Sequence, residues 1–273
     1  MKQKISKVLV YIVLVIGAFI VLFPFFWMIM TSLKTLPETM QVPPKILPNE
    51  FMWNNYQKAS EMAPFGRYFL NSIFVSSMST IFVLITTILA AFSFSKYEFK
   101  GKNFIFTVLL ATLMIPGDVL LVTNFATINA LGLYDTSIAM FLPFIGSIFY
   151  IFLVRQFFIS IPNELYLTSK VDGCSDFRYL MKILIPVSKP ILITVGLLNT
   201  IVSWNSFMWP LLVTSSVETR TLPIGLLQFT TDAGTQYNLL MAASAMIILP
   251  MVILFLVSRK YIVSGLTAGA IKG

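Results

Sequence analysis

The chain has 273 residues, 57% of them hydrophobic and only 11% charged, where soluble domains carry about 25% charged residues. No water-facing fold covers that much apolar surface, so the composition points to an all-α polytopic membrane protein and away from a soluble enzyme. The net charge of +8 reads as Lys and Arg gathered on cytoplasmic loops, not as a nucleic-acid surface.

There is no His and one Cys, Cys174. That excludes an internal disulfide and a His-based catalytic triad, and leaves no His/Cys cluster for a metal. No Gly-rich phosphate loop ending in Gly-Lys-Ser/Thr is present, so any ATP that drives this protein is hydrolysed by another chain.

In chain order, Lys2, Lys4 and Lys7 precede a long apolar run. It is about twice the length of a signal-peptide core and no A-x-A site follows, so it reads as a retained first helix. Six charge-free runs give six candidate spans. They lie near Val8–Met30, Asn71–Ser95, Phe104–Gly117, Ser137–Val154, Ile191–Thr214 and Asn238–Ser258. Most are long enough for a hydrocarbon core of about 30 Å. The third is short, and reads as a span broken or ended near Pro116-Gly117. The outer loop Thr31–Tyr68 holds five prolines (Pro37, Pro43, Pro44, Pro48, Pro64) with Trp53 and Tyr56. Short helices on the membrane surface or a plain connector both fit it.

With six spans both termini share one side. Segments 1–7, 96–103, 155–190 and 259–273 carry 3, 3, 5 and 3 Lys/Arg, 14 of the chain's 19, against 4 of its 11 Asp/Glu. That side is expected to be cytoplasmic, in the cell membrane.

The stretch Glu164–Phe177, "ELYLTSKVDGCSDF", is the charged exception in the second half. Pro162-Asn163-Glu164 reads as a helix start with an acid in the first turn. Leu165, Thr168 and Val171 recur at helical spacing. Asp172-Gly173 ends that helix through a left-handed cap, and Ser175 caps a second one with Asp176 in its first turn. Phe177, Leu180, Met181 and Leu184 supply the second apolar stripe, before Pro186 and Pro190 break it. The expectation is a rigid helix–turn–helix elbow on the cytoplasmic side; a solvated hairpin without a partner fits the same periodicity.

Here the chain resembles a known family. "IPNELYLTSKVDGCSDFRYLMKILIPVSKP" is similar to the EAA loop of binding-protein-dependent ABC importer permeases. Val171-Asp172-Gly173 and Ile183-Leu184-Ile185-Pro186 match that pattern, whereas Leu167-Thr168-Ser169 replaces its E-A-A, with Leu167 where the family has Glu. "WNSFMWPLLVT", "TLPIGL", "LLMAASAMIILP" and "RKYIVSGLTAGAIKG" resemble the carbohydrate-importer branch, similar to the smaller subunit of maltose permeases. The likeness covers most of residues 68–273.

The resemblance implies a type I ABC importer fold. It divides the chain into a first helix and outer loop (1–68), a permease core (69–262) with a coupling loop (160–190), and a tail (263–273). It implies that Glu164, Leu167, Thr168, Ser169, Asp172, Gly173, Cys174 and Phe177 meet an ATPase, with Cys174 packing where the family often has Ala. Implied partners are a second permease, two ATPase subunits and an extracytoplasmic solute-binding protein, besides membrane lipids. No cofactor is expected on this chain, because ATP is bound by the partner. The tail Ser264–Gly273 is implied to reach the ATPase; disorder is the alternative.

Asn199, Trp204, Asn205 and Trp209 are candidate substrate-path residues, since aromatic faces stack on sugar rings and Asn both donates and accepts. An interfacial aromatic belt, or interhelical glue in the case of Asn199 and Ser203, is the competing reading. None of the six runs contains Asp, Glu, Lys or Arg. Charge at membrane depth costs at least ~2.5 kcal/mol and is kept for use, so its absence speaks against proton coupling. Sodium held by backbone carbonyls stays open. The alternatives are an ion-coupled secondary transporter and a membrane scaffold that transports nothing.

Overall fold

A computed structural model of the chain describes residues 2–231 and 234–267. Helix α1 is Lys2–Ser32, followed by short α2 (Leu36–Thr39) and α3 (Asn54–Met62); α4 is Phe65–Lys96 and α5 Lys102–Ala111. Then come α6 (Leu121–Ala130), α7 (Ser137–Phe141), α8 (Ile148–Ser160), α9 (Asn163–Val171), α10 (Asp176–Tyr179), α11 (Ile185–Val187), α12 (Lys189–Trp204), α13 (Met208–Val213) and α14 (Leu222–Gly225). A two-strand hairpin, β1 (Thr230–Thr231) with β2 (Gly234–Thr235), precedes α15 (Tyr237–Thr267).

Among the described residues, three helices are apolar and long enough to cross a membrane alone: Leu9–Ser32, Phe65–Lys96 and Tyr237–Arg259. Three bent pairs raise the number to six if each counts as one span. The third expected span breaks where the sequence suggested: Lys102–Met114 and Gly117–Ala130 meet at 92° around Pro116. The fourth and fifth depart from the straight spans expected. The fourth is cut at residues 145–147, with its halves at 52°. The Ile145 carbonyl freed there accepts from the Thr86 hydroxyl, which is how a break becomes tolerable in an apolar medium. The fifth ends as a helix at Trp204 and resumes at Met208.

By internal contacts the chain forms two compact units. Their boundaries differ from the divisions read in the sequence. The first contains Met1–Phe65 and Gly225–Pro250. In it the outer loop is ordered, not a loose connector. Asn55 donates to the carbonyls of Ser32 and Lys34, both at 2.8 Å. Glu38 accepts from the Thr35 and Asn49 amides at 2.9 Å each. Those donors hold the Glu38 carboxyl below its usual range.

The second unit contains Gly66–Ile224 and Met251–Gly273. In it α12 meets α8 and, along one side, α4. Gly196 faces α4, where a Cβ would meet Leu84 Cδ1 at 3.5 Å and Thr80 Cγ2 at 3.7 Å, ordinary contact distances. Polar side chains then bond across the seam, with Thr80 and Thr200 hydroxyls 3.0 Å apart. Small residues plus hydroxyls are what helices use to associate where the hydrophobic effect is weak. One apolar cluster gathers Val83, Phe92, Val154, Phe158, Tyr179 and Leu184; another gathers Val75, Ile128, Phe141, Trp209 and Val213. Arg155 donates to the Phe94 carbonyl at 3.0 Å and lies 4.2 Å from the Phe106 ring centre, tying α8 to the end of α4 and the middle of α5. α15 continues to Thr267, so the tail expected from 263 onward begins as helix; residues 268–273 lie outside the described residues.

Candidate functional site

The elbow is built as its residues dictate. α9 starts after Pro162 with Glu164 in its first turn and Lys170 in its last, both favourable to the helix dipole. Its end is a Schellman motif. The Cys174 amide reaches back to the Ser169 carbonyl at 2.9 Å and the Gly173 amide to Lys170 at 3.0 Å, with Gly173 at φ +74°. Glycine takes that conformation without the Cβ penalty. The Ser175 hydroxyl then accepts from the Arg178 amide at 3.3 Å and starts α10. Pro186 does not break the second arm. A π-helical turn, Leu180–Leu184, carries it into α11, and the arm bends by 80° only at Ser188, where α12 begins. Such wider turns are rare and appear mostly as single turns inside α-helices, frequently at functional sites.

One side chain locks the two arms together. Asp176 Oδ1 accepts from the Tyr166 hydroxyl and pairs with the Lys170 ammonium, each at 2.6 Å. The Lys170 contact and the Tyr166 bond hold the Asp176 carboxyl below the usual carboxylate range, and Tyr97, at the end of α4, adds to that pull. Burial and then Asp176 push the Tyr166 phenol up. The Tyr166 and Tyr179 rings meet edge-on at 5.0 Å, and Tyr179 is wholly buried. Neither Tyr166, Lys170 nor Tyr97 stood out in the sequence. The only cue was an opposite-charge pair, Lys170 and Asp176, on the two flanks of a Gly turn.

The buried stripe of α9 differs from the one expected. Leu165 and Val171 are exposed, Val171 to 88%, and Thr168 is exposed. The inward face is Tyr166 and Ser169, three apart. In the second arm Leu180 and Leu184 are buried, but Phe177 is 70% exposed and Met181 49%. The spacing of the second arm marks a single apolar stripe, yet two of its four members face out. Leu167, Val171 and Phe177 thus stand exposed on a segment flanked by charge. Glu164, Asp172 and Gly173 are exposed beside them, and Cys174 is half-buried against the core.

The path candidates separate. Asn199 is buried; its amide donates to Ser79 Oγ at 3.1 Å and Thr80 Oγ1 at 3.2 Å. It also lines a cavity of about 340 Å³. Trp204 is buried with its ring edge-on to Phe69 at 5.9 Å. Trp209 is buried, donates to the Ala139 carbonyl at 3.0 Å and meets Phe144 edge-on at 5.5 Å. Asn205 is exposed at the end of α12. None of these last three lines the cavity. Ser79, Ser147, Ser203 and Ser206 do. Of these, sequence reasoning had weighed only Ser203, and only as glue.

A third polar centre gathers on the connection between α6 and α7. Asp135, at φ +58°, accepts from the Ser215 and Ser216 amides at 2.9 and 3.1 Å and from the Thr219 hydroxyl. Burial opposes its ionisation, but these donors outweigh it and hold the carboxyl well below its usual range.

Helices broken beside a small cavity, with a pinned elbow between α8 and α12, are the frame of a multi-pass membrane protein. The chain belongs to the binding-protein-dependent transport system inner membrane component family, whose profile matches residues 83–267. It is 34% identical to the arabinooligosaccharides transport system permease protein AraQ of Halalkalibacterium halodurans, over all of both chains. It is 29% identical to the sn-glycerol-3-phosphate transport system permease protein UgpE of Brucella suis, over 97% of each. Its fold matches, with TM-score 0.83 and 23% identity, a chain of a bacterial ABC transporter involved in the import of the acidic polysaccharide alginate; the match covers 96% of this chain and 98% of that one. The protein is therefore a membrane-embedded ABC importer permease with the importer fold, and not itself an enzyme.

Proposed function

We propose that this chain is one of two permease subunits of a sugar or oligosaccharide importer. Two ATPase subunits act from the cytoplasm and a solute-binding protein delivers from outside. Both termini and the elbow lie in the cytoplasm, in keeping with the Lys/Arg bias of those segments. ATP closes the ATPase pair, and the elbow turns that closure into rotation of the helices it is built into.

The observation that carries this reading is the two-sided elbow. Its inner face is locked by Asp176 and buried through Tyr179, Leu180 and Leu184. Its outer face offers Leu167, Val171 and Phe177 to a partner. A loop that served only to connect spans would have no use for either feature. With Leu167 in place of the family's Glu, docking here is apolar rather than a salt bridge. The relative named for arabinooligosaccharides supports the solute class.

The test is reconstitution with the second permease, the ATPase subunits and the binding protein. Saccharide-stimulated ATP hydrolysis is the expected result. Stimulation by no saccharide in the panel would refute the solute class, and failure of the ATPase subunits to bind would refute the coupling role.

A further inference from the structure

We propose that the cavity between the end of α4 and the junction of α8 with α9 holds the phosphate of an anionic phospholipid, with Lys96 as its cation. That the lipid belongs to the cytoplasmic leaflet rests on the orientation proposed for the elbow; the contact itself rests on the geometry of the cavity.

The place follows from where the apolar helices stop. The span Phe65–Lys96 ends at Lys96, and the bent pair that includes α8 ends at Ser160. Both residues line one cavity of about 590 Å³, within the range of ligand sites, about 300–1,000 Å³. At the ends of apolar spans the hydrocarbon gives way to lipid headgroups. Ile159, Ile161 and Leu167 give the same cavity apolar walls. A phospholipid has that division, with a charged phosphate on a glycerol that carries the chains.

The charge selects the headgroup. Lys96 is half-buried. Among the described residues its ammonium has neither a hydrogen bond nor an ion pair. Glu98 also lines the cavity, but its carboxylate pairs with Lys102 at 2.9 Å. A partly desolvated ammonium gains most from an anion that bonds it. A second wall has the same sign. Pro162 and Asn163 open α9 there, and no side chain caps that end, so the positive end of the helix dipole adds to the pull on phosphate. Basic pockets between spans on the cytoplasmic side are where anionic headgroups bind. A carboxylate from an ATPase subunit would also pair with Lys96, but one such side chain would leave most of the 590 Å³ unfilled. With a phosphate bound, the end of α4 and the first turn of α9 share one anion, and the elbow is tied to the membrane surface.

The experiment measures lipid held by the whole transporter in detergent micelles doped with phosphatidylglycerol or phosphatidylcholine, read by native mass spectrometry. The wild type should hold phosphatidylglycerol more tightly. Lys96→Gln should weaken that binding about fivefold, the order of one Lys at a charged membrane surface. Lys96→Arg should keep it. Lys100→Gln, exposed and outside the cavity, should lose less than Lys96→Gln. Equal losses in the two Gln variants, or no preference for phosphatidylglycerol over phosphatidylcholine, overturn the site. Inorganic phosphate that displaces phosphatidylglycerol from the wild type and binds as tightly would overturn the lipid as its source. Unchanged lipid binding by Lys96→Gln together with release of the ATPase subunits would assign Lys96 to a protein carboxylate and overturn the proposal. Micelles have no sides, so this result stands or falls separately from the face on which the elbow lies, which vesicle labelling reads.

Discussion

At the scale of single residues the account turns on Asp176 and Gly173. Asp176 is the acceptor that joins α9 to α10. Asp176→Asn keeps the shape and removes the charge. Amide exchange in residues 166–180 should then rise about fivefold to tenfold, the order of 1 kcal/mol expected for a half-exposed charged bond after screening. Because the folded carboxyl titrates below its ordinary value, its contribution is complete above about pH 3.9 and is lost as pH falls through the folded value. Exchange corrected for intrinsic rates should show that acid loss in the wild type and not in Asp176→Asn. Gly173 separates strain from bulk. Its φ of +74° penalises any Cβ, but nothing in this chain lies within 4 Å of one. Gly173→Ala should therefore cost about 1–2 kcal/mol of local stability with ATPase binding retained. Gly173→Trp adds bulk toward the partner and should abolish uptake. Normal uptake by Gly173→Trp with the ATPase bound would remove the elbow from the mechanism.

Among the elements, the outer face of the elbow and the Asp135 loop make separable predictions. Phe177, 70% exposed, gains from burial only if a partner covers it. A buried Phe contributes about 1.5–3 kcal/mol, so Phe177→Ala should weaken ATPase association roughly 10- to 100-fold, read by titration in nanodiscs, with the permease still folded. Unchanged affinity would mean that the partner docks elsewhere. At the other end, Asp135→Ala leaves the Ser215 and Ser216 amides and the Thr219 hydroxyl without their shared acceptor. The loss is about 1.5–3 kcal/mol per charged acceptor, and limited proteolysis between Ser215 and Glu218 should speed up accordingly. Asp135→Asn, which tolerates positive φ, should be milder. The sequence made parts of these elements legible and hid others for physical reasons. The Gly173 cap and the Ser175 cap were readable because caps are local chemistry. The Asp176 lock was not, since Tyr166, Lys170 and Tyr97 converge on it only after the turn folds. The apolar spacing of Leu165, Val171, Phe177 and Met181 was real, but periodicity alone cannot tell a stripe that faces the core from one kept for a partner. Spans four and five read as straight because Thr86 and the cavity, which make their breaks tolerable, lie elsewhere in the sequence.

For the whole molecule, orientation and energy source decide the account. Cys174 is the only thiol, and it is half-buried. Cys174→Ala with Val171→Cys moves the thiol to a site 88% exposed. A membrane-impermeant maleimide should label that variant in inside-out vesicles and not in right-side-out cells; the reverse would place the elbow on the external face. The decisive measurement is saccharide uptake into proteoliposomes containing both permeases and the binding protein, with the ATPase subunits either present or omitted. Uptake that requires both the ATPase subunits and MgATP is the predicted result; uptake that continues without them, whether or not an ion gradient is imposed, would contradict it.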